Sequence, residues 1–154
     1  MKINTKIRYG LRTMIELSCP DNKTGILQKD IAKNQQLSEK YLDPIISALK
    51  IKGLIVNVAG KKSGYILSKP MSKITLLDIF NSFESGPEIV PCLNKSVACD
   101  RSKKCAAKEC WSGLNDIVTD YMRKTTLETL CKRSGELCSR SEKPKSKKLP
   151  KKNK

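Results

Sequence analysis

A chain of 154 residues with 31 Lys and Arg against 15 Asp and Glu carries a formal charge of +16, and such a charge points to a polyanionic partner, nucleic acid first. The length suits one domain with an extra arm or tail, and the 38 % hydrophobic residues are enough for a small core. The chain has no histidine, no phosphate-binding loop and no paired carboxylates, so nothing in it marks an enzyme.

Ile3, Ile7, Leu11 and Ile15 recur every four residues, with Met14 and Leu17 widening the stripe, and predict an amphipathic helix of roughly four turns ending before Pro20. Asp21 to Gly25 read as a loop, and Cys19 beside it reads as a small core residue rather than a ligand. A short helix comes next, with Leu27, Ile31 and Ala32 facing inward, and then a turn through Asn34 to Leu37. Ser38 is placed to cap the next helix, which carries Leu42, Ile45, Ile46 and Leu49 at helical spacing and stops at Gly53. Pro44 falls early in that helix, where a missing amide hydrogen costs least.

Helix, short turn and helix form a helix-turn-helix, whose second helix enters a DNA major groove; a plain helical hairpin fits the spacing equally well. The next fourteen residues favour the first. Leu54 to Val58 and Tyr65 to Leu67 are β-rich runs joined by Ala59-Gly60-Lys61-Lys62-Ser63-Gly64, a basic hairpin. A basic hairpin directly after a helix-turn-helix is a winged helix, with Lys61 and Lys62 set along the phosphates or into the minor groove. Ser38 at the head of the second helix counts among the expected DNA-binding residues with Lys61 and Lys62. Lys40, Tyr41 and Asp43 are the candidates for base-edge contact, Asp43 as an acceptor from a cytosine amino group.

Beyond Pro70, Thr75 and Asp78 resemble a capping box for a helix carrying Leu76, Leu77, Ile79, Phe80 and Phe83. Phe80, Phe83 and Trp111 are the expected packing anchors. Trp111, Leu114, Val118 and Tyr121 mark a long helix whose apolar stripe has no partner left in so short a chain, which suggests a second subunit. Thr125 and Glu128 open a last short helix ending near Lys132.

Between these helices, Cys92, Cys99, Cys105 and Cys110 fall within nineteen residues, separated by six, five and four others and flanked by Lys95, Arg101, Lys103, Lys104 and Lys108. Positive charge beside a thiol favours the thiolate, the form that binds metal or attacks disulfides. Buried structural thiols sit in apolar runs, and this run is polar. The opening Met-Lys-Ile-Asn-Thr-Lys carries no signal peptide and no apolar run reaches membrane length, so a cytoplasmic, reducing setting is expected and a disulfide framework is not. Metal remains. Zinc sites pair their cysteines more tightly than all but Cys105 and Cys110, whereas looser, nearly even gaps suit a loop wrapping an iron–sulfur cluster. Cys131 and Cys138 read as incidental.

From Ser139 to Lys154, eight basic residues against one Glu give +7 of the total +16 and leave +9 on the body. The Lys-, Ser- and Pro-rich tail cannot bury a core and reads as disordered, either solubilising or touching phosphates.

Over residues 1 to about 133 the sequence resembles the IscR/NsrR/CymR-type winged-helix regulators (the Rrf-two family). The resemblance is carried by Lys6-Ile7-Arg8-Tyr9, Ser38-Glu39-Lys40-Tyr41-Leu42, Leu49-Lys50-Ile51-Lys52-Gly53-Leu54, the wing with Gly60 and Gly64-Tyr65, the three spaced cysteines, Trp111, and Thr126-Leu127-Glu128-Thr129-Leu130. It implies a homodimer paired through the long helix, and an iron–sulfur cluster held by Cys92, Cys99 and Cys105 that alters DNA affinity. Two departures stand out. Lys108 occupies the place of a ligating histidine and Arg8 that of a ligating acid, so the fourth position falls to Cys110, a partner-subunit group, solvent or a small ligand. Ala59 stands where many members have a wing arginine, and a lysine does not replace its fork.

The expected fold is mainly α with a small β-hairpin wing: a winged helix-turn-helix (1–84), a cysteine-bearing cluster loop (85–110), a dimerisation helix with a short C-terminal helix (111–133), and a basic tail (139–154). The expected function is a cytoplasmic, homodimeric transcription regulator on a palindromic double-stranded operator, a repressor in the leading reading, sensing iron–sulfur, redox or nitric oxide status. A cluster-free regulator under a protein partner or thiol switch is the alternative. A small thiol-redox or electron-transfer protein is the opposing class, and the lack of any Cys-x-x-Cys argues against a thiol–disulfide enzyme.

Overall fold

The computed structural model describes residues 3–18, 25–59, 64–94, 96–97 and 99–133. Cys19, Lys61, Lys62, Lys95, Cys138 and the basic tail lie outside the described residues. Helix α1 spans Thr5–Leu17, and the Asn4 side chain caps it by accepting from the Ile7 amide at 2.9 Å. Ile3 therefore precedes the helix and is exposed, contrary to the expected stripe. The buried face is Ile7, Gly10, Thr13, Met14 and Leu17. Leu11 and Ile15 are only half-buried, because a strict four-residue repeat drifts about 40° per step on a 3.6-residue helix.

Helix α2 spans Gln28–Gln35 with Leu27 as its N-cap, one position outside the helix. Gln36 takes the left-handed conformation (φ 56°). The amides of Gln36 and Leu37 bond back to the carbonyls of Lys33 and Ala32 at 3.1 and 2.8 Å. This closing motif satisfies the helix's last carbonyls and turns the chain into α3. Helix α3 spans Glu39–Ile51, with the Ser38 hydroxyl accepting from the Tyr41 amide as expected. Leu42, Ile45, Ile46 and Leu49 are buried. Gly53 (φ 64°) ends it, and the Gly53 and Leu54 amides return to Lys50 and Leu49.

Strands β1 (Ile55–Asn57) and β2 (Tyr65–Leu67) pair antiparallel, with Val56 opposite Ile66. On its other edge, Tyr65 exchanges backbone bonds with Ile26 at 3.0 and 2.8 Å, tying the wing to the segment before α2. Gly64 permits that approach, since a Cβ there would stand 2.6 Å from the Ile26 backbone nitrogen.

Helix α4 (Leu76–Phe80) has both halves of the Thr75–Asp78 capping box. Helix α5 runs Ala106–Lys124, so it begins five residues earlier than the expected 110/111 boundary and takes Cys110 into its second turn. Residues 127–133 are helical, and their start is capped by Thr126, whose hydroxyl accepts from the Thr129 amide, rather than by Thr125. Thr75 and Thr126 form a β-bridge that clamps the end of α5 to the start of α4.

The main core joins α1, α2, α3, the wing base, Ile74, Ile79 and Leu127. A second cluster of Ile7, Phe80 and Met122, flanked by Phe83 and Val118, seats α5 on α1 and α4. Met122 is the buried residue of α5, a helix about 28 Å long from its 19 residues. Trp111 is no packing anchor within this chain: with Leu114, Ile117 and Tyr121 it lies exposed along α5.

Candidate nucleic-acid interface and cysteine segment

Helix α3 buries one face and leaves Lys40, Tyr41, Asp43, Ser47 and Lys50 exposed on the other. The start of this exposed face carries the three residues expected to read bases. Each is placed differently. Lys40 points to solvent. Tyr41 packs edge-on against Tyr9 of α1, with centroids 5.9 Å apart, and the Arg12 guanidinium lies over Tyr9 at 5.2 Å. Its ring is thus partly a strut between α1 and α3, with cation–π contact behind it. Asp43 accepts through Oδ1 from the Gln28 amide nitrogen. Gln28 in turn accepts from the Tyr65 hydroxyl at 3.3 Å, and the Lys50 ammonium stands 5.9 Å from the Tyr65 ring.

Gln28, Tyr65, Tyr9 and Arg12 were not among the residues the sequence singled out for this face. Gln28 and Tyr65 lie 37 positions apart, and no periodic signal links them. Ser38 acts as the helix cap, which sets where α3 starts and hence which residues lead it.

The cysteine segment begins where Ile89 donates its amide to Asn115 Oδ1 on α5 at 3.1 Å. Cys92 is half-buried on a 3-10 turn, Pro91–Leu93, lying against α5. Cys99 is exposed, Cys105 is half-buried as the N-cap residue of α5, and Cys110 is exposed one turn further. All are free thiols. A cleft of about 500 Å³ opens beside Cys105, lined by Ser102, Lys104, Lys108 and Glu109. Lys108 donates to Ser102 rather than to any thiol.

A shared metal or cluster needs its donors within a few ångströms of one point. Among the described residues, no three Cys, Asp or Glu side chains come together closely enough to hold a metal ion. Thiolates are the donor type an iron–sulfur cluster takes, but among the described residues Cys92, Cys99, Cys105 and Cys110 are not brought together to hold one. Among the described residues, Ser96, Val97, Ser102 and Lys104 make hydrogen bonds to partners within residues 94–108. No helix among the described residues is long and apolar enough to cross a membrane.

A helix-turn-helix with an exposed second helix, a hairpin beside it and a projecting helix behind define a winged-helix DNA-binding regulator. The chain belongs to the Rrf2 family, described as "Iron-dependent Transcriptional regulator", which matches residues 3–133. It is similar to the HTH-type transcriptional regulator CymR of Bacillus subtilis, 35 % identical over 130 residues, 84 % of this chain and 89 % of that protein. Among solved structures, that of CymR, described as the global cysteine regulator of B. subtilis, superimposes with a TM-score of 0.73 at 34 % identity, covering 86 % of this chain and 98 % of that one. IscR of T. potens superimposes with a TM-score of 0.71 at 28 % identity, covering 89 % and 90 %. The family is one of transcription regulators and not of enzymes, which sets aside the thiol-redox and electron-transfer reading.

Proposed function

We propose that this regulator is a cytoplasmic homodimer that binds a palindromic operator, and that its cysteine segment carries an iron–sulfur cluster whose state sets DNA affinity. The observation that carries the reading is the joint placement of two features on α5. Its apolar face of Trp111, Leu114, Ile117 and Tyr121 is exposed, and the cysteine segment is fastened to the same helix through Asn115, Cys105 and Cys110.

Pairing two copies along α5 buries that stripe and sets two α3 helices on one face, to be spaced about one helical turn of DNA, ~34–36 Å. Cys92, Cys99 and Cys105 are the proposed ligands, with an exchangeable fourth position to which Cys110 is not obligatory. When bound, a cluster supplies a group that reacts with oxygen and nitric oxide. The chain's own part is to hold the cysteine segment against α5, through the Ile89 amide on Asn115 at one end and Cys105 as the N-cap residue at the other.

Anaerobic purification tests the reading. A coloured dimer containing iron and sulfide, with operator affinity that changes on cluster loss, supports it. A colourless dimer that still binds a palindrome supports the second reading, a cluster-free regulator under a thiol switch or protein partner. That reading is favoured by the unassembled thiols and by the likeness to a regulator described by its control of cysteine.

A further inference from the structure

Gln28, the first residue of α2, stands between the recognition helix and the wing. Its amide nitrogen donates to Asp43 and its amide oxygen accepts from Tyr65. The two bonds fix which way round the amide lies. An ionised carboxylate only accepts, so the NH₂ group faces Asp43 and the carbonyl faces the Tyr65 hydroxyl. Three elements thereby meet in one chain of side-chain hydrogen bonds.

The wing end of that chain is itself held. Tyr65 is fixed through its backbone to Ile26, two residues before Gln28, and a cleft of about 280 Å³ lies open alongside Gln28, Asp43, Ser47, Lys50 and Tyr65. Asp43 is exposed beside it. A free aspartate in this place turns about two bonds and offers its oxygens in many directions. With Oδ1 engaged, Oδ2 is the acceptor left for an outside donor, and its direction is set before DNA arrives. In the major groove such donors are the amino groups of cytosine and adenine.

We propose that Gln28 is a positioning residue for base readout: it holds Asp43 so that one carboxylate oxygen meets an exocyclic amino group, and through Tyr65 it ties that setting to the wing. The proposal rests on α3 being the recognition helix. Displacement of β2 by phosphate contacts on the wing is then felt at the base that Asp43 reads.

The test uses the full-length dimer. Duplexes selected from a random pool by the wild-type protein define its half-site, and each base pair is then replaced in turn and titrated at one salt concentration. Asp43→Ala is expected to flatten preference at one position per half-site by roughly tenfold. Gln28→Ala is expected to reduce preference at that same position by about threefold or more, while affinity for a random duplex and the salt slope stay unchanged. The double variant should match Asp43→Ala, because no carboxylate remains to be positioned. Tyr65→Phe should show a smaller loss at the same position. Full preference retained by Gln28→Ala where Asp43→Ala has lost it overturns the proposal, and so do equal losses at every position. If Asp43→Ala flattens no position although wild type is selective, Asp43 is not a base contact. If wild type selects no sequence at all, the reading of α3 itself fails.

Discussion

The Ser18 hydroxyl and the Cys131 thiol, 113 residues apart in the chain, meet at 2.7 Å where residues 127–133 dock on the end of α1. Ser18 has one hydroxyl proton, and it goes to the Ile15 carbonyl at 2.5 Å. The thiol is therefore the donor to the Ser18 oxygen, and the contact gives Cys131 a packing role. Cys131→Ala should lower stability by about 1 kcal/mol, a fall of roughly 3–5 °C in Tm. Operator affinity and metal content should not change. Calorimetry together with a DNA titration checks both halves; loss of iron from this variant would make Cys131 a ligand instead.

Gly10 and Phe83 make a second long-range fit. A Cβ on Gly10 would run into the edge of the Phe83 ring. Alanine gains about 1 kcal/mol in helix propensity over glycine, whereas overpacking costs about 1–3 kcal/mol. Gly10→Ala should therefore be destabilised by about 1 kcal/mol in urea unfolding. A more stable variant would mean that Phe83 swings aside without cost.

Ile117 is the most exposed member of the α5 stripe, at 68 % of its full accessibility. In a dimer paired along α5, Ile117→Glu places a charge against an apolar partner face and should yield monomers in sedimentation at micromolar protein. Operator affinity should fall with it, because one half-site then binds alone. A variant that remains dimeric would move the interface off this stripe.

Cys92→Ser, Cys99→Ser and Cys105→Ser should each give colourless protein with little iron, since a hydroxyl is a far poorer ligand for iron than a thiolate. Cys110→Ser should keep the cluster. Visible absorbance and iron analysis of anaerobic preparations decide it, and iron loss from Cys110→Ser as complete as from Cys99→Ser would favour a four-cysteine site.

Lys61 and Lys62 bear on the wing. Replacing both with Ala should reduce the slope of log affinity against log salt by about 0.9 per lost phosphate contact. Unchanged slope and affinity would place the wing in solvent and leave Ala59 as the mark of a member without minor-groove reading.

The features legible in the sequence are those set within a few residues. Ser38 caps α3, Thr75 and Asp78 close a capping box, and Gly53 adopts the backbone that stops a helix. The same holds for Leu42, Ile45, Ile46 and Leu49, whose spacing alone puts them on one buried face. With the charge and the basic hairpin, these local signals are sufficient for a winged helix. They also carry the family, because its motifs are short and ordered.

What the tertiary structure decided depends on distant partners. Periodicity cannot say which of two apolar rows on α1 faces in; packing against Phe80, Phe83 and Met122 selects Ile7 and Gly10 and leaves Ile3 in solvent. Nor can it separate a Trp that anchors its own core from one exposed on a projecting helix, since the apolar residue and its helical spacing are the same in both. Asp43 is a third case. Its sequence neighbours identify it as an exposed residue near the start of a helix, while the direction of its carboxylate is set by Gln28 and, behind it, Tyr65. Local sequence fixes backbone and burial through short-range hydrogen bonds and period, but the aim of a polar side chain is fixed by whichever donors the fold brings beside it.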